Sequence, residues 1–164
     1  MERSVLNHKA RQGLVALLSA APLLASAVTT ITVKVTVMPT PPCVINDDKV
    51  IEVDFGEVVA PQVDGVQYQR TVNYTLECEA DAPNAMKLQV QGSPTTFDPS
   101  ALRTNFANFG VALRVNGQPL VLNDWVDFTY PQTPLLQAVP VKKAGVTLPG
   151  GNFSAGATLM LSYQ

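Results

Sequence analysis

The sequence predicts an all-β domain, a sandwich or a barrel built from short strands. Segments in which apolar and polar residues alternate recur along the chain, and turn-forming residues separate them. Thirteen prolines and ten glycines supply these turns. No segment has the 3.6-residue apolar repeat of an amphipathic helix, and residues 98–107 suggest at most a short turn. A chain of short strands without helices is typical of a β-sandwich or barrel.

The first 27 residues have the three parts of a secretory signal peptide. Three basic residues open the segment, an apolar run of about a dozen residues follows, and Ala25 and Ala27 form a small-x-small cleavage site. The apolar run is too short to cross a membrane. We therefore predict that residues 1–27 are a signal peptide, that cleavage follows Ala27 and that the chain is exported.

Residues 29–38 read TTITVKVTVM and alternate strictly. This pattern of β-branched residues predicts a half-buried strand. The proline-rich PTPPC follows directly, with no turn that would fold the strand back as a hairpin. The apolar face of the strand consists of Ile31, Val33, Val35 and Val37.

Further strands are predicted along the body of the chain. Asn116-Gly117, which follows the strand predicted at residues 111–115, is the strongest short sequence signal for a β-hairpin. Pro140 indicates that its predicted strand lies at a sheet edge or contains a bulge. Residues 123–134 are less regular and carry Trp125, Phe128 and Tyr130. The predicted strands cover residues 50–55, 57–59, 72–78, 86–91, 111–115, 120–122, 136–141 and 153–164.

The chain has two cysteines, Cys43 and Cys78. An even number of cysteines in an exported chain predicts a structural disulfide. Their spacing is not that of a CxxC redox motif, and no histidine accompanies them as a metal ligand. We therefore expect one disulfide, which would stabilise the fold by roughly 3 to 4 kcal/mol on the chain-entropy model.

The composition argues against several classes of function. The formal net charge is −2 and basic residues do not cluster, so nucleic acid is not an expected partner. The only histidine, His8, lies in the predicted signal peptide. Without a histidine or a free cysteine the mature chain lacks the usual groups for acid–base, nucleophilic or metal chemistry. We expect no enzymatic activity, no cofactor, no metal and no segment embedded in a membrane.

In its joint order of features, the chain resembles the structural subunits of chaperone–usher pili, the fimbrial proteins of Gram-negative bacteria. The alternating segment 30–37 precedes a proline-rich link to Cys43, and residues 51–58, IEVDFGEV, resemble the first body strand of the family. The second cysteine, Cys78, is the last residue of the strand predicted at residues 72–78. Gly151 stands fourteenth from the C-terminus, and Tyr163 is the penultimate residue. The resemblance covers the whole predicted mature chain.

The resemblance implies an incomplete immunoglobulin-like β-sandwich, the pilin fold, which a donor strand completes. A periplasmic chaperone first lends this strand and holds the C-terminal carboxylate, here that of Gln164. At an outer-membrane usher, the N-terminal extension of the neighbouring subunit then replaces the chaperone's strand. The implied organisation is a donor extension and link in residues 28–42 and a pilin body in residues 43–164. The resemblance implies an acceptor groove and C-terminal motif formed by Gly151, Phe153, Leu159, Leu161, Tyr163 and Gln164.

The extension departs from the family at one position, where Val35 stands in place of a glycine that many family extensions carry. With the proline-rich link, this favours a minor tip-fibrillum or adaptor subunit that supports cell adhesion. A rod or terminator subunit remains open, as do the identities of the chaperone, the usher, the neighbouring subunits and any receptor. The alternative is a self-complete secreted immunoglobulin-like binding domain, in which Trp125, Phe128 and Tyr130 either bind a ligand or pack over one end of the sandwich.

Overall fold

The computed structural model describes residues 43–164, and they form an all-β structure, as predicted. The two helical elements of this part of the chain are short 3-10 turns, Asn46–Asp48 and Ala60–Gln62. The strands are Cys43–Ile45 (β1), Arg70–Thr71 (β2), Leu76–Cys78 (β3), Ala85–Gly92 (β4), Ala101–Arg103 (β5), Phe109–Val115 (β6), Gln118–Pro119 (β7), Trp125–Thr129 (β8), Leu136–Lys142 (β9) and Ala157–Tyr163 (β10).

The strands form two principal sheets and a small one. One principal sheet has the order β2-β9-β6-β5, with β7 also paired to β6, and the other has the order β10-β4-β8. The small sheet consists of β1 and β3. Every pairing between these strands is antiparallel.

The core contains the inward-facing residues of both principal sheets. Along β4 the side chains of Met86, Leu88 and Val90 are buried, while Lys87 lies on the other face. This is the period-2 alternation that the sequence shows for this strand. The main core cluster comprises Phe55, Leu88, Val90, Leu102, Val111, Leu113, Leu120, Leu122, Leu136 and Ala138.

Strands β4 and β6 and the hairpin after β6 agree with the sequence prediction. Val115 pairs with Gln118 across the loop formed by Asn116 and Gly117, whose φ angles are 50° and 81°. A two-residue hairpin of this kind requires positive φ at both positions, and asparagine and glycine adopt it most readily. The predicted return strand over residues 120–122 is wrong, because β7 ends at Pro119.

Strands β5 and β8 lie in stretches that were not predicted to form strands, and the short strands β1, β2 and β7 also fall outside the predicted strand ranges. Strand β8 lies in the stretch expected to be irregular, and β5 lies in the stretch expected to hold only a turn. Asp127 interrupts the β-forming pattern of β8, yet all five residues of the strand pair with β4. Pairing with a neighbour therefore outweighs the weak local propensity of this segment.

The position of β9 also differs from the prediction. Pro140 predicts an edge strand or a bulge, whereas β9 lies between β2 and β6 and Pro140 is buried. Strand β2 supplies only two residues, which pair with Gln137 and Ala138. No hydrogen bond on that side of the ladder depends on the N–H group that proline lacks, so β9 tolerates it.

Candidate functional site

Strand β10 borders an open side of its sheet. It pairs with β4 over seven residues, from Ala157 opposite Gly92 to Tyr163 opposite Met86. In the described part of the chain, no strand pairs with the opposite edge of β10. An edge strand leaves a row of backbone N–H and C=O groups available to another strand.

A second unpaired segment lies across from β10. Residues 50–55 were predicted as a strand, but within the described residues they have no strand partner, and the same holds for residues 57–59. From Ile51 to Phe55 no backbone group of the described structure bonds to another strand. Burial still alternates, since Ile51, Val53 and Phe55 are less exposed than Glu52 and Asp54. The segment keeps the alternation of a strand without the neighbour that a strand needs.

Between β10 and residues 50–55 lies a cavity of about 810 Å³. Most of its lining side chains are aliphatic or aromatic, and Asp48 and Lys49 are the charged residues among them. The lining combines both walls with core residues of the two principal sheets. It comprises Cys43, Ile45, Asp48, Lys49, Val50, Ile51, Val53, Phe55, Val72, Val90, Leu102, Val111, Leu113, Leu136, Ala138, Phe153, Ser154, Ala155, Ala157, Thr158, Leu159 and Leu161.

The two ends of this cavity are chemically different. Near the end of β10, the Tyr163 hydroxyl lies 3.3 Å from the Sγ atom of Cys43. Before the start of β10, Phe153 packs against both Phe55 and Phe109. The cavity therefore follows the length of β10, from an aromatic end to the disulfide.

The structure brings three of the predicted groove residues together. Phe153, Leu159 and Leu161 all line the cavity. The predicted strand over residues 153–164 begins only at Ala157, so Phe153 reaches the cavity from the segment before β10.

The other predicted groove residues have different surroundings. The backbone N–H of Gln164 donates to the Ala85 carbonyl over 3.1 Å, and its side-chain Nε2 donates to the Met86 carbonyl over 3.0 Å. Gly151 is not among the lining residues. Its φ is +141°, and a Cβ atom there would lie 3.0 Å from the ring of Phe106. A positive φ and this close approach explain a glycine at position 151.

The expected disulfide between Cys43 and Cys78 is confirmed. The two residues lie directly opposite each other in the ladder of β1 and β3. The predicted donor face of Ile31, Val33, Val35 and Val37 and the cleavage site at Ala25 and Ala27 lie outside the described residues.

Sequence reasoning assigned the groove to the C-terminal segment and did not identify its opposite wall. Ile51, Val53 and Phe55 form that wall, and their alternation by itself predicts only a strand. A segment in which apolar residues alternate, but which has no strand partner in its own sheet, identifies such a wall.

Trp125, Phe128 and Tyr130 do not form a single aromatic site. Phe128 packs against the core, while Trp125 is exposed on the other face of β8. Among residues 43–164 no helix is long and apolar enough to span a bilayer.

The family model described as "Fimbrial protein" matches residues 30–164. This chain belongs to the fimbrial protein family. The fimbrial-like protein YfcQ of Escherichia coli strain K12 is 36% identical over 138 residues, which cover 79% of this chain and 83% of YfcQ. YfcR of the same strain is 33% identical over 129 residues, covering 76% of this chain and 74% of YfcR. The fimbrial adapter PapF of Escherichia coli is 27% identical over 137 residues, which cover 76% of this chain and 81% of PapF.

Solved pilin structures share the fold of this fimbrial protein. The P pilus adaptor subunit PapF superposes with a TM-score of 0.57 at 26% identity, over 77% of this chain and 98% of PapF. The P pilus rod subunit PapA gives a TM-score of 0.63 at 22% identity, over 75% of this chain and 99% of PapA, and this likeness bears on the fold alone. The fold is thus the incomplete immunoglobulin-like sandwich of pilins, and its fimbrial relatives imply a location in a surface pilus.

Proposed function

We propose that this fimbrial protein is a structural subunit of a chaperone–usher pilus and that it polymerises by donor-strand exchange. The open groove between β10 and residues 50–55 is the proposed acceptor site. The observation that carries the proposal is the pair of facing backbone edges, both without a strand partner in the described structure, across one apolar cavity.

A donor strand would meet two needs of this groove at once. Its backbone would bond to the free edge of β10 and to residues 50–55, since neighbouring strands lie only about 4.8 Å apart. Its apolar side chains would cover the lining residues Leu159 and Leu161, which are now only half-buried. Covering one large apolar side chain contributes roughly 1.5 to 3 kcal/mol. Strand addition of this kind is how chaperones complement pilins.

The proposal assigns roles to the partners and to both ends of the chain. Residues 1–27 direct export and are cleaved after Ala27, so the subunit passes through the periplasm. There a chaperone fills the groove and holds the carboxylate of Gln164, until assembly at the outer-membrane usher. Residues 28–42 insert into the groove of a neighbouring subunit, and the inserted face consists of Ile31, Val33, Val35 and Val37.

Within the pilus, we place this subunit at the tip or between the tip and the rod. Two relatives support this position: PrsF of Escherichia coli, a minor fimbrial protein 28% identical to this chain, and the adapter PapF. The valine at position 35 and the proline-rich link support it from the sequence. Immunogold labelling of intact fibres tests it, since label at one end supports a tip or adaptor subunit and label along the shaft indicates a rod subunit.

Urea unfolding tests the acceptor groove. The body, residues 43–164 with its disulfide formed, is compared with the same body carrying a donor strand fused after Gln164. We expect the fusion to raise the unfolding midpoint steeply or to be required for folding. The donor is tested with its own sequence and with Val35→Gly, and a preference for glycine would indicate a narrow acceptor groove. A bare body that is stable and gains nothing contradicts strand exchange and favours a self-complete binding domain.

A further inference from the structure

The outer face of the β10-β4-β8 sheet, which points away from the core, has an ordered pattern of side chains. In one row across the strands, Met160 lies opposite Gln89, and Gln89 lies opposite Trp125. In the next row, Ser162, Lys87 and Asp127 lie opposite one another in the same strand order. We call these six residues the outer face.

The first row is apolar at both ends. Trp125 is 42% exposed and Met160 is 36% exposed, whereas Gln89 between them is only 9% exposed. The amide Nε2 of Gln89 donates to the carbonyl of Asn123, which fixes the side chain. Tryptophan and methionine are enriched in the central parts of protein interfaces. A large exposed aromatic beside a fixed amide is therefore suited to contact another protein.

The second row carries one charge of each sign. Lys87 of β4 and Asp127 of β8 lie directly opposite each other, yet in the described structure neither takes part in a salt bridge. Asp127 is exposed and Lys87 is partly exposed. Both charges can therefore pair with groups on a second molecule.

We propose that the outer face binds a second copy of this chain, face to face, about a two-fold axis that runs parallel to the strands between β4 and β8. Such an axis places strand β4 of each copy over strand β8 of the other copy. Trp125 then covers Gln89 of the second copy, and Asp127 pairs with Lys87 of the second copy. A two-fold interface makes each contact twice.

Charge favours a second copy over an unrelated partner. The cation Lys87 lies on β4 and the anion Asp127 lies in the same row on β8. Because the two-fold axis places β4 of one copy over β8 of the other, each cation meets an anion, and the charge pattern is complementary to itself. Sheets stack face to face at about 10 Å, a distance that these side chains span. The axis lies on the β8 side of β4, so the free edge of β10 stays open. The association is therefore compatible with an occupied or an empty groove and does not depend on the function proposed for it.

Trp125 reports on this association directly, because it is the only tryptophan of the chain. We expect its emission to shift to the blue as the concentration of the full secreted chain rises, in parallel with dimer formation in sedimentation equilibrium. The variant Trp125→Ala should weaken association about tenfold or more, as loss of a central aromatic residue does at interfaces. Circular dichroism verifies that this variant is folded.

Charge reversal separates contact between copies from effects within one copy. Lys87→Asp alone and Asp127→Lys alone each place like charges in contact twice, so each should weaken self-association about tenfold or more. An equimolar mixture of the two single variants makes both pairs attractive again and should associate as the wild type does. Within each separate copy the unfavourable charge pair persists, so recovery in the mixture cannot come from folding. Glu57→Lys, an exposed charge outside this face, serves as the control.

Two results would overturn the proposal. One is a mixture of the single charge variants that associates no better than either variant alone. The other is a wild-type chain that stays monomeric across the concentration series. If that monomer instead shows a Trp125 emission change with added soluble oligosaccharides, the face binds glycans and the two-fold contact is wrong.

Discussion

Phe153 packs edge to face against Phe109, with ring centroids 4.8 Å apart and ring planes at 87°. Phe153 also contacts Phe55, at a centroid distance of 5.9 Å. Phe109 opens β6, and Phe55 belongs to the unpaired wall of the groove. Phe153 therefore joins the segment before β10 both to β6 and to the cavity wall formed by residues 50–55.

Replacing Phe153 should destabilise the body without blocking strand pairing along β10. We expect Phe153→Ala to lower the free energy of unfolding by about 2 to 3 kcal/mol, less than for a fully buried ring because Phe153 is half-buried. Phe153→Leu should lower the free energy of unfolding by less, since this variant loses mainly the aromatic contacts with Phe55 and Phe109. Urea unfolding measures both, and Leu135→Ala, at an exposed position, is the control. A loss below about 0.5 kcal/mol for Phe153→Ala would contradict this role.

Removing the disulfide should have a larger effect. Strands β1 and β3 share only three residue pairs, and the disulfide joins positions separated by 35 residues in sequence. The double variant Cys43→Ser, Cys78→Ser is expected to lose about 3 to 4 kcal/mol of unfolding free energy. Wild-type protein unfolded in the presence of a reductant should show the same midpoint as the double variant. Equal midpoints for oxidised and reduced protein would mean that the disulfide does not stabilise the fold.

Gly110 in β6 is sterically required. A Cβ atom at this position would lie 2.6 Å from Cγ2 of Thr95 and 2.9 Å from the backbone oxygen of Leu102. A backbone oxygen of a neighbouring strand cannot easily move, so Gly110→Ala should lower the free energy of unfolding by about 1 to 3 kcal/mol. Gly150→Ala, which meets no atom within 4 Å, should remain within about 0.5 kcal/mol of the wild type. Thermal unfolding of the two variants tests the contrast, and similar melting temperatures would refute it.

Tyr74 should make stability fall at alkaline pH. Burial raises the pKa of Tyr74 to about 12, and its hydroxyl donates to the Pro134 carbonyl over 2.7 Å. The unfolded chain loses this proton near the ordinary pKa of 10.0, whereas the folded chain keeps it until about 12. The stabilisation from Tyr74 is therefore complete below pH 10 and is lost as the pH rises towards 12.

The variant Tyr74→Phe isolates this effect from other groups that titrate at high pH. The difference in unfolding free energy between the wild type and Tyr74→Phe should be constant, at about 1 kcal/mol, from pH 7 to 9. It should then shrink between pH 10 and 12. Urea unfolding across this range measures the difference, and a difference that does not change with pH would exclude Tyr74 as the cause.

The two faces of β10 should respond differently to a new charge. Leu161 lines the cavity, whereas Met160 lies on the outer face beside it in sequence. Leu161→Asp should abolish binding of a synthetic donor peptide with the sequence of residues 29–38, because a carboxylate buried beneath the inserted strand costs several kcal/mol. Met160→Asp should bind the peptide within about threefold of the wild type, a difference worth less than 1 kcal/mol. Fluorescence anisotropy of a labelled peptide provides the measurement, and equal losses in both variants would argue against insertion beside β10.

Local sequence patterns predicted several elements correctly. The alternation in residues 86–91 identified β4, Asn116-Gly117 identified the hairpin, and the two cysteines of an exported chain identified the disulfide. These features depend on backbone preferences and on periodicity, which neighbouring residues determine. Phe153, Leu159 and Leu161 were also named from the sequence, through the resemblance to pilus subunits.

What the sequence by itself determined is which side chains face inward along β4, that the chain turns at Asn116-Gly117 and which cysteines pair. Only the tertiary structure decided which strands meet. It made β8 a strand despite Asp127, placed β9 between β2 and β6 despite Pro140, and, within the described residues, left residues 50–55 without a strand partner opposite β10. It also aligned Met160, Gln89 and Trp125 in one row. The physical reason is that alternation is a local property, whereas a ladder of hydrogen bonds depends on distant segments that compete for the same edge.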